Sequence, residues 1–86
     1  MPEICRFYGI IIRLYFADHN PPHFHAEYSG AEVRIDINTL AIISGKLPAR
    51  AQGLVVEWAT LHQSELLDLW QKASNLEPLH KLEPLS

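Results

Sequence analysis

The sequence predicts an α+β fold, in which a small antiparallel β-sheet of about four strands, built from β-hairpins, packs against one long helix. The first half of the chain alternates apolar and polar residues, which is typical of strands with one buried face. The second half repeats its apolar residues at three- and four-residue steps, which is the spacing of an amphipathic helix. Because 86 residues suit one domain, we expect residues 1–86 to form a single domain.

The first strands are predicted from residues 4–16, where β-branched and aromatic side chains dominate. This segment forms either two strands that break at Gly9 or one bent strand. The sequence Asn20-Pro21-Pro22 then predicts a loop, because paired prolines fix the backbone and donate no hydrogen bonds.

A β-hairpin is predicted from two alternating segments, 23–28 and 31–37. The sequence Ser29-Gly30 between them is typical of a two-residue turn. A further short strand is expected at residues 40–43.

One helix is predicted over residues 48–73, since Pro48 suits a first helical position and an apolar stripe follows it. The helix is expected to bury Trp58 and Leu69 against the sheet. Residues 75–86 repeat leucine and proline, and they predict an extended tail that its leucines dock onto the domain. The stripe consists of Ala51, Leu54, Val55, Trp58, His62, Leu66, Leu69 and Ala73.

Composition limits the class of protein. Apolar residues make up 48% of the chain, so a hydrophobic core can form without metal or disulfide cross-links. The single cysteine, Cys5, cannot form an intrachain disulfide, and this suits a cytoplasmic location. No apolar run reaches membrane-spanning length and no signal-peptide pattern is present, so no membrane association is expected. A net charge of −3 argues against non-specific DNA binding, but it leaves room for a small local anion site.

The chemically unusual residues are concentrated in Asp18–His25, which reads Asp-His-Asn-Pro-Pro-His-Phe-His. A two-residue hairpin turn sets the register, so that His25 lies opposite Arg34 and His23 opposite Asp36. Directly opposed side chains lie about 5 Å apart at Cβ. One face of the sheet is therefore expected to carry a polar site. Its candidate catalytic residues are His19, His23, His25, Arg34, Asp36 and, from the helix, His62.

Four interpretations of this polar set are open. Two histidines can act as acid and base near neutral pH while an arginine stabilises a phosphoryl oxyanion, which is the logic of metal-free RNA cleavage. Alternatively, Zn²⁺ or another transition metal is ligated by His23 and His25 together with Asp18 and His19. If this metal interpretation does not hold, no cofactor is expected. The face can instead recognise a partner protein, or these residues can simply cap turns and balance charge on a solvated surface.

His62 lies near the centre of the apolar stripe, one turn from Trp58. It is interpreted either as a core histidine with one satisfied hydrogen bond or as a member of the polar site. In the second case we predict that its hydrogen-bond partner comes from residues 18–25. Glu65 borders the same stripe and is an alternative carboxylate partner.

Lys46 and Arg50 flank the predicted start of the helix. Helix N-termini favour anions, so both residues are candidates for anion binding. Asp18 is a separate candidate binding residue, at the polar site. The glycine spacing of a phosphate-binding P-loop is absent.

The sequence resembles a family of small bacterial proteins known as a domain of unknown function, DUF4160. The resemblance runs from Ile4 to about Leu85, and it implies no specific chemistry. It does imply a context: one component of a two-gene, toxin–antitoxin-like module, encoded beside another small protein. The motifs that carry the resemblance are Asp18–His25, Gly45–Pro48, Glu57–Ala59, Leu61-His62 and Glu65-Leu66.

The function predicted from sequence is binding of a cognate small protein within such a module. A site directed at RNA is predicted alongside it, and whether the protein is an enzyme is left open, as is a homo-oligomer. The alternatives are a transition-metal-binding domain and a purely structural or regulatory interaction module. The predicted RNA-directed site consists of Asp18, His19, His23, His25 and Arg34.

Overall fold

The computed structural model describes residues 2–86 and contains one antiparallel sheet and one helix. Each strand pairs with the next along the chain, so the sheet order is β1-β2-β3-β4-β5. The predicted α+β fold is confirmed, with five strands where the sequence predicted about four. The elements are β1 (Glu3–Phe7), β2 (Ile10–Arg13), β3 (His23–Tyr28), β4 (Ala31–Asp36), β5 (Ile42–Gly45) and α1 (Ala49–Ser74).

The extra strand arises because residues 4–16 form a hairpin instead of one bent strand. Tyr8 and Gly9 both have positive φ, at 50° and 80°, which makes a tight two-residue turn between β1 and β2. Ser29 and Gly30 repeat this geometry between β3 and β4, with φ of 51° and 85°. The β3–β4 register follows from that turn as predicted, from Tyr28 opposite Ala31 to His23 opposite Asp36.

The last strand lies further along the chain than the predicted 40–43. Leu40 has φ of 62° and belongs to the turn before β5, and its N–H donates to the Asp36 carbonyl at 2.7 Å. The strand therefore starts at Ile42 and continues through Gly45. Only glycine fits at that end, because a Cβ there would lie 2.2 Å from the Glu32 carbonyl oxygen and φ is +84°.

The helix runs from Ala49 to Ser74, close to the predicted 48–73. Pro48 immediately precedes it with extended backbone, so it is not the first helical residue. The backbone at His62 leaves helical geometry, with φ of −121° and ψ of 18°, and this kinks the helix. Nowhere in residues 2–86 does a helix combine the length and apolar character that crossing a bilayer requires.

The core lies between the sheet and this helix, and the C-terminal tail closes one side of it. Trp58 and Leu69 are fully buried, as predicted. The Trp58 Nε1–H donates to the Glu83 carbonyl at 2.9 Å, and the Leu82 N–H donates to the Ile4 carbonyl at 2.8 Å. Leu82 is only 6% exposed, so this leucine packs the tail against the core.

Candidate metal centre

The loop between β2 and β3 brings a carboxylate beside the first residues of β3. The Ala17 N–H donates to the Ala73 carbonyl at 3.2 Å, which ties this loop to the last turn of α1. At its other end the Pro22 carbonyl accepts from the Ile37 N–H at 2.9 Å. Asp18, which directly follows Ala17, is thereby held over the sheet face that carries the β3 histidines.

The Asp18 carboxylate is oriented by its own loop. Its Oδ1 accepts a hydrogen bond from the His19 N–H at 2.8 Å. Its Oδ2 lies 3.0 Å from His23 Nε2 and 3.2 Å from His25 Nε2. Partial burial raises the pKa of Asp18, but the His19 hydrogen bond and the two imidazoles outweigh this, so the pKa lies below its usual value. The carboxylate is therefore the anionic centre of the site.

His23 and His25 point to the same side of β3 because alternate strand residues share a face. Both are buried, at 5% and 6% exposure. Trp70 from the last part of α1 packs on His23, with ring centroids 5.2 Å apart, and Tyr15 packs edge-on against His25 at 4.3 Å. Sequence reasoning missed both covering aromatics, because neither shares a strand or a helical repeat with the histidines.

The proton positions follow from the neighbours of His23. Its Nδ1 lies 2.7 Å from the Pro21 carbonyl oxygen, which can only accept, so we assign the proton to Nδ1. In the neutral ring, Nε2 then carries a lone pair and no proton. This buried atom has no hydrogen-bond partner within residues 2–86, although Asp18 Oδ2 is 3.0 Å away. Two electron-rich atoms thus lie 3.0 Å apart, and a cation that contacts both, either a proton or a metal ion, relieves the repulsion.

The imidazole of His25 has a hydrogen-bond partner at only one of its two ring nitrogens. His25 Nε2 hydrogen-bonds Asp18 Oδ2, while its buried Nδ1 has no hydrogen-bond partner in the described part of the chain. The carboxylate of Glu32 comes within 3.7 Å of that Nδ1, which exceeds hydrogen-bond distance. Glu32 is therefore close enough to orient the ring only after a small side-chain movement.

One ligand atom each from Asp18, His23 and His25 lies within 4.8 Å of the other two. Tetrahedral coordination with metal–ligand distances of about 2.0–2.1 Å places neighbouring ligand atoms roughly 3.3 Å apart. The two oxygen–nitrogen distances of 3.0 and 3.2 Å are already close to that spacing. Three protein ligands of this kind leave a fourth position open, as catalytic zinc sites do.

The other residues of the predicted polar site lie around this cluster. His19 is exposed, and the contact that it makes to Asp18 is through its backbone N–H. Arg34 is exposed and borders the clefts on both sides of Asp18. Asp36 Oδ1 instead accepts from the N–H groups of Asn38 and Thr39, at 2.7 and 3.0 Å, and so caps the turn after β4.

His62 does not reach the loop that carries Asp18. Its Nδ1 lies 2.5 Å from Glu65 Oε1, so the prediction of a partner from residues 18–25 is wrong and the alternative, Glu65, is confirmed. The physical reason is local, because residues three apart on a helix are surface neighbours. The imidazole also packs on Trp58, with ring centroids 5.0 Å apart.

Neither of the two cations near the helix start lines the clefts beside Asp18. Arg50 lines a groove of about 290 Å³ together with Tyr8, Tyr28 and Leu85, and Lys46 lies outside that groove. Both side chains are exposed. A joint anion site at these two residues stays a prediction.

Comparison with known proteins identifies one family. The family model described as "Domain of unknown function (DUF4160)" matches residues 9–71. The matched range includes Asp18, His23, His25 and Arg34. No curated protein and no solved structure matches the chain.

Proposed function

The chain belongs to the DUF4160 family, whose function is unknown, and we propose from its geometry that it is a transition-metal-binding domain. The ligands are Asp18 Oδ2, His23 Nε2 and His25 Nε2. Two imidazoles and a carboxylate with an open position suit Zn²⁺, and the same ligand set also holds non-haem Fe²⁺. The observation that carries this proposal is the buried Nε2 of His23, which faces a carboxylate oxygen without a hydrogen bond.

The surroundings of His23 match those of a metal ligand. Metal-binding histidines usually donate their second ring N–H to a carbonyl or carboxylate, which fixes the tautomer and the ring orientation. The Pro21 carbonyl accepts that hydrogen bond here, at 2.7 Å. Trp70 packs on the same ring, so the ring that carries Nε2 is held beside Asp18 before any ion arrives.

Metal binding fits this geometry better than metal-free acid–base catalysis on RNA. An acid and a base must each reach a different atom of the scissile group. His23 and His25 both place Nε2 within 3.2 Å of one carboxylate oxygen, and both side chains are more than nine-tenths buried. A site directed at RNA therefore needs the open metal position and Arg34, not the two imidazoles alone.

The proposal is tested by the metal content of protein purified without a histidine tag. We expect close to one equivalent of Zn²⁺ after loading and desalting, measured by plasma mass spectrometry. The His23→Ala and His25→Ala variants should lose it. Matched controls are His19→Ala and His80→Ala, which remove exposed histidines outside the cluster and should keep the ion.

Folded wild-type protein that retains no metal and gives no heat on titration with Zn²⁺ would remove the metal proposal. Loss of the ion from all four histidine variants would point instead to non-specific binding by surface imidazoles. Circular dichroism of each variant shows that it is folded before its metal content is compared.

A second candidate function, recognition of a partner protein, is favoured by the β5 edge of the sheet. This strand is exposed along its whole length, with Ile42 at 51% and Ile43 at 44%. An exposed edge strand presents unpaired backbone groups to which another chain can add a strand. The cognate small protein of a toxin–antitoxin-like module, implied by the sequence resemblance, is the partner we propose.

Coexpression with the protein encoded by the neighbouring gene tests this candidate. Ile42→Lys should abolish copurification, while Leu61→Lys, which alters a still more exposed side chain on the helix, should not. Equal copurification of both variants would place the contact elsewhere.

A further inference from the structure

Arg34 occupies a defined position beside the proposed metal ligands. It lies directly opposite His25 in the β3–β4 register, and opposed residues project to the same face of the sheet. Their Cβ atoms are therefore about 5 Å apart. The guanidinium is exposed, so it can move over the cluster without disturbing the core.

Two clefts meet at Asp18, and Arg34 lines both. The larger, of about 370 Å³, is bordered by His25 and Glu32 as well as by Asp18 and Arg34. The smaller, of about 100 Å³, lies on the side of His23. A small molecule that enters through either cleft therefore passes the Arg34 guanidinium before it reaches the proposed metal-coordinating atoms.

Arg34 also differs from the other arginines near the sheet in its ionic contacts. Arg6 pairs with Glu3 at 2.8 Å, and Arg13 pairs with Glu27 at 2.9 Å. Within residues 2–86 no carboxylate forms an ion pair with Arg34. Of the two acids two positions away on the strand, Glu32 approaches His25 and Asp36 caps the turn after β4. Its hydrogen-bond donors are therefore free for an external anion.

We infer that the metal ion and Arg34 together form a binding position for a small oxyanion, of the phosphate or carboxylate class. This inference rests on the proposed metal function. A divalent ion with one carboxylate and two neutral imidazoles carries a net charge of about +1. The guanidinium adds a second positive charge, and an anionic oxygen in the open coordination position offsets both.

The chemistry of the two groups suits such a ligand. The ion takes one oxygen as its fourth ligand, and the planar guanidinium donates two parallel hydrogen bonds to other oxygens of the same group. Because these contacts need a planar fork, lysine at position 34 should replace arginine only in part.

The test uses the full-length protein loaded with one equivalent of Co²⁺, whose visible absorption responds to a change of ligands. Inorganic phosphate and acetate are titrated separately, and their affinities distinguish the two sources of the anion. We expect a saturable spectral change, with Arg34→Ala weakening it roughly tenfold or more and Arg34→Lys giving an intermediate loss. Arg6→Ala, at an exposed arginine that pairs with Glu3 on the first strand, should match the wild type.

The Co²⁺ content of each sample is measured in parallel, which separates the two proposals. Protein that holds Co²⁺ but shows no spectral change with either anion overturns the oxyanion position and leaves the metal site intact. Equal affinities for wild type and Arg34→Ala overturn the role of Arg34. Protein that holds no Co²⁺ overturns both, and the metal measurement identifies that case.

Discussion

The two ring nitrogens of His23 lie in different surroundings, and this difference underlies the chemistry proposed for the site. Nδ1 donates to a backbone carbonyl, while Nε2 faces the carboxylate of Asp18 at 3.0 Å without a hydrogen bond. A buried polar atom left without a partner costs about 1–3 kcal/mol, so the arrangement is stabilised by whatever cation fills the gap. The Asp18 carboxylate thus acts as the shared neighbour of both imidazoles.

At this scale we predict that Asp18→Asn weakens Zn²⁺ binding by at least about tenfold, the smaller of the effects seen on altering metal-site partners. The amide keeps the shape of the side chain but loses the negative charge that attracts the ion. Affinity is measured by competition with a chromophoric chelator. Asp68→Asn, at an exposed acid on the helix, is the control and should bind like the wild type. Unchanged affinity in Asp18→Asn would remove this carboxylate from the ligand set.

At the scale of the elements, Gly53 and Gly30 allow the effect of backbone strain to be measured without side-chain crowding. Gly53 lies inside α1, where an added Cβ would meet no atom within 4 Å. Gly30 also has open space around it, but its φ is +85°. The two positions therefore differ in backbone conformation while neither is crowded.

We predict opposite effects of alanine at these glycines. Gly53→Ala should raise the free energy of unfolding by about 0.5–1 kcal/mol, because glycine is a poor helix former. Gly30→Ala should lower it by about 1–2 kcal/mol, because an L-residue is strained in the left-handed region. Urea denaturation followed by tryptophan fluorescence measures both. A destabilising Gly53→Ala would mean that the helix near that residue is not as described.

At the scale of the whole molecule, the C-terminal tail contributes to the core although it contains no regular secondary structure. Leu82 is buried and its backbone N–H donates to the first strand, while Trp58 donates to the tail at Glu83. Residues more than seventy positions apart, Ile4 and Leu82, are thereby joined. The tail thus links the edge strand of the sheet to the helix.

We predict that Leu82→Ala lowers the free energy of unfolding by about 2 kcal/mol, at the low end for a buried leucine because the site lies near the surface. Leu76→Ala is the matched control, since Leu76 is 69% exposed and should change stability by no more than about 0.5 kcal/mol. The midpoints of thermal unfolding of the two variants are compared with that of the wild type. Similar midpoints would show that the tail does not stabilise the core.

Local patterns in the sequence were sufficient to predict the sheet hairpin and the helix. The β3–β4 register followed from alternation on both sides of Ser29-Gly30, because a two-residue turn leaves only one pairing that buries the apolar face. The helix followed from its apolar stripe, since spacing of this kind depends on neighbouring residues alone. The predicted pairing of His25 with Arg34 has the same local origin.

By itself, then, the sequence determined the fold class, the β3–β4 hairpin register and the segment that holds the site's histidines. Only the tertiary structure decided that Asp18 meets His23 and His25, because this depends on the path of a loop that a bond from Ala17 anchors to the helix end. It likewise decided that Trp70 covers the site. Trp70 and His23 lie far apart in the chain, and no periodicity or turn signal encodes how a loop or a distant helix turn will pack.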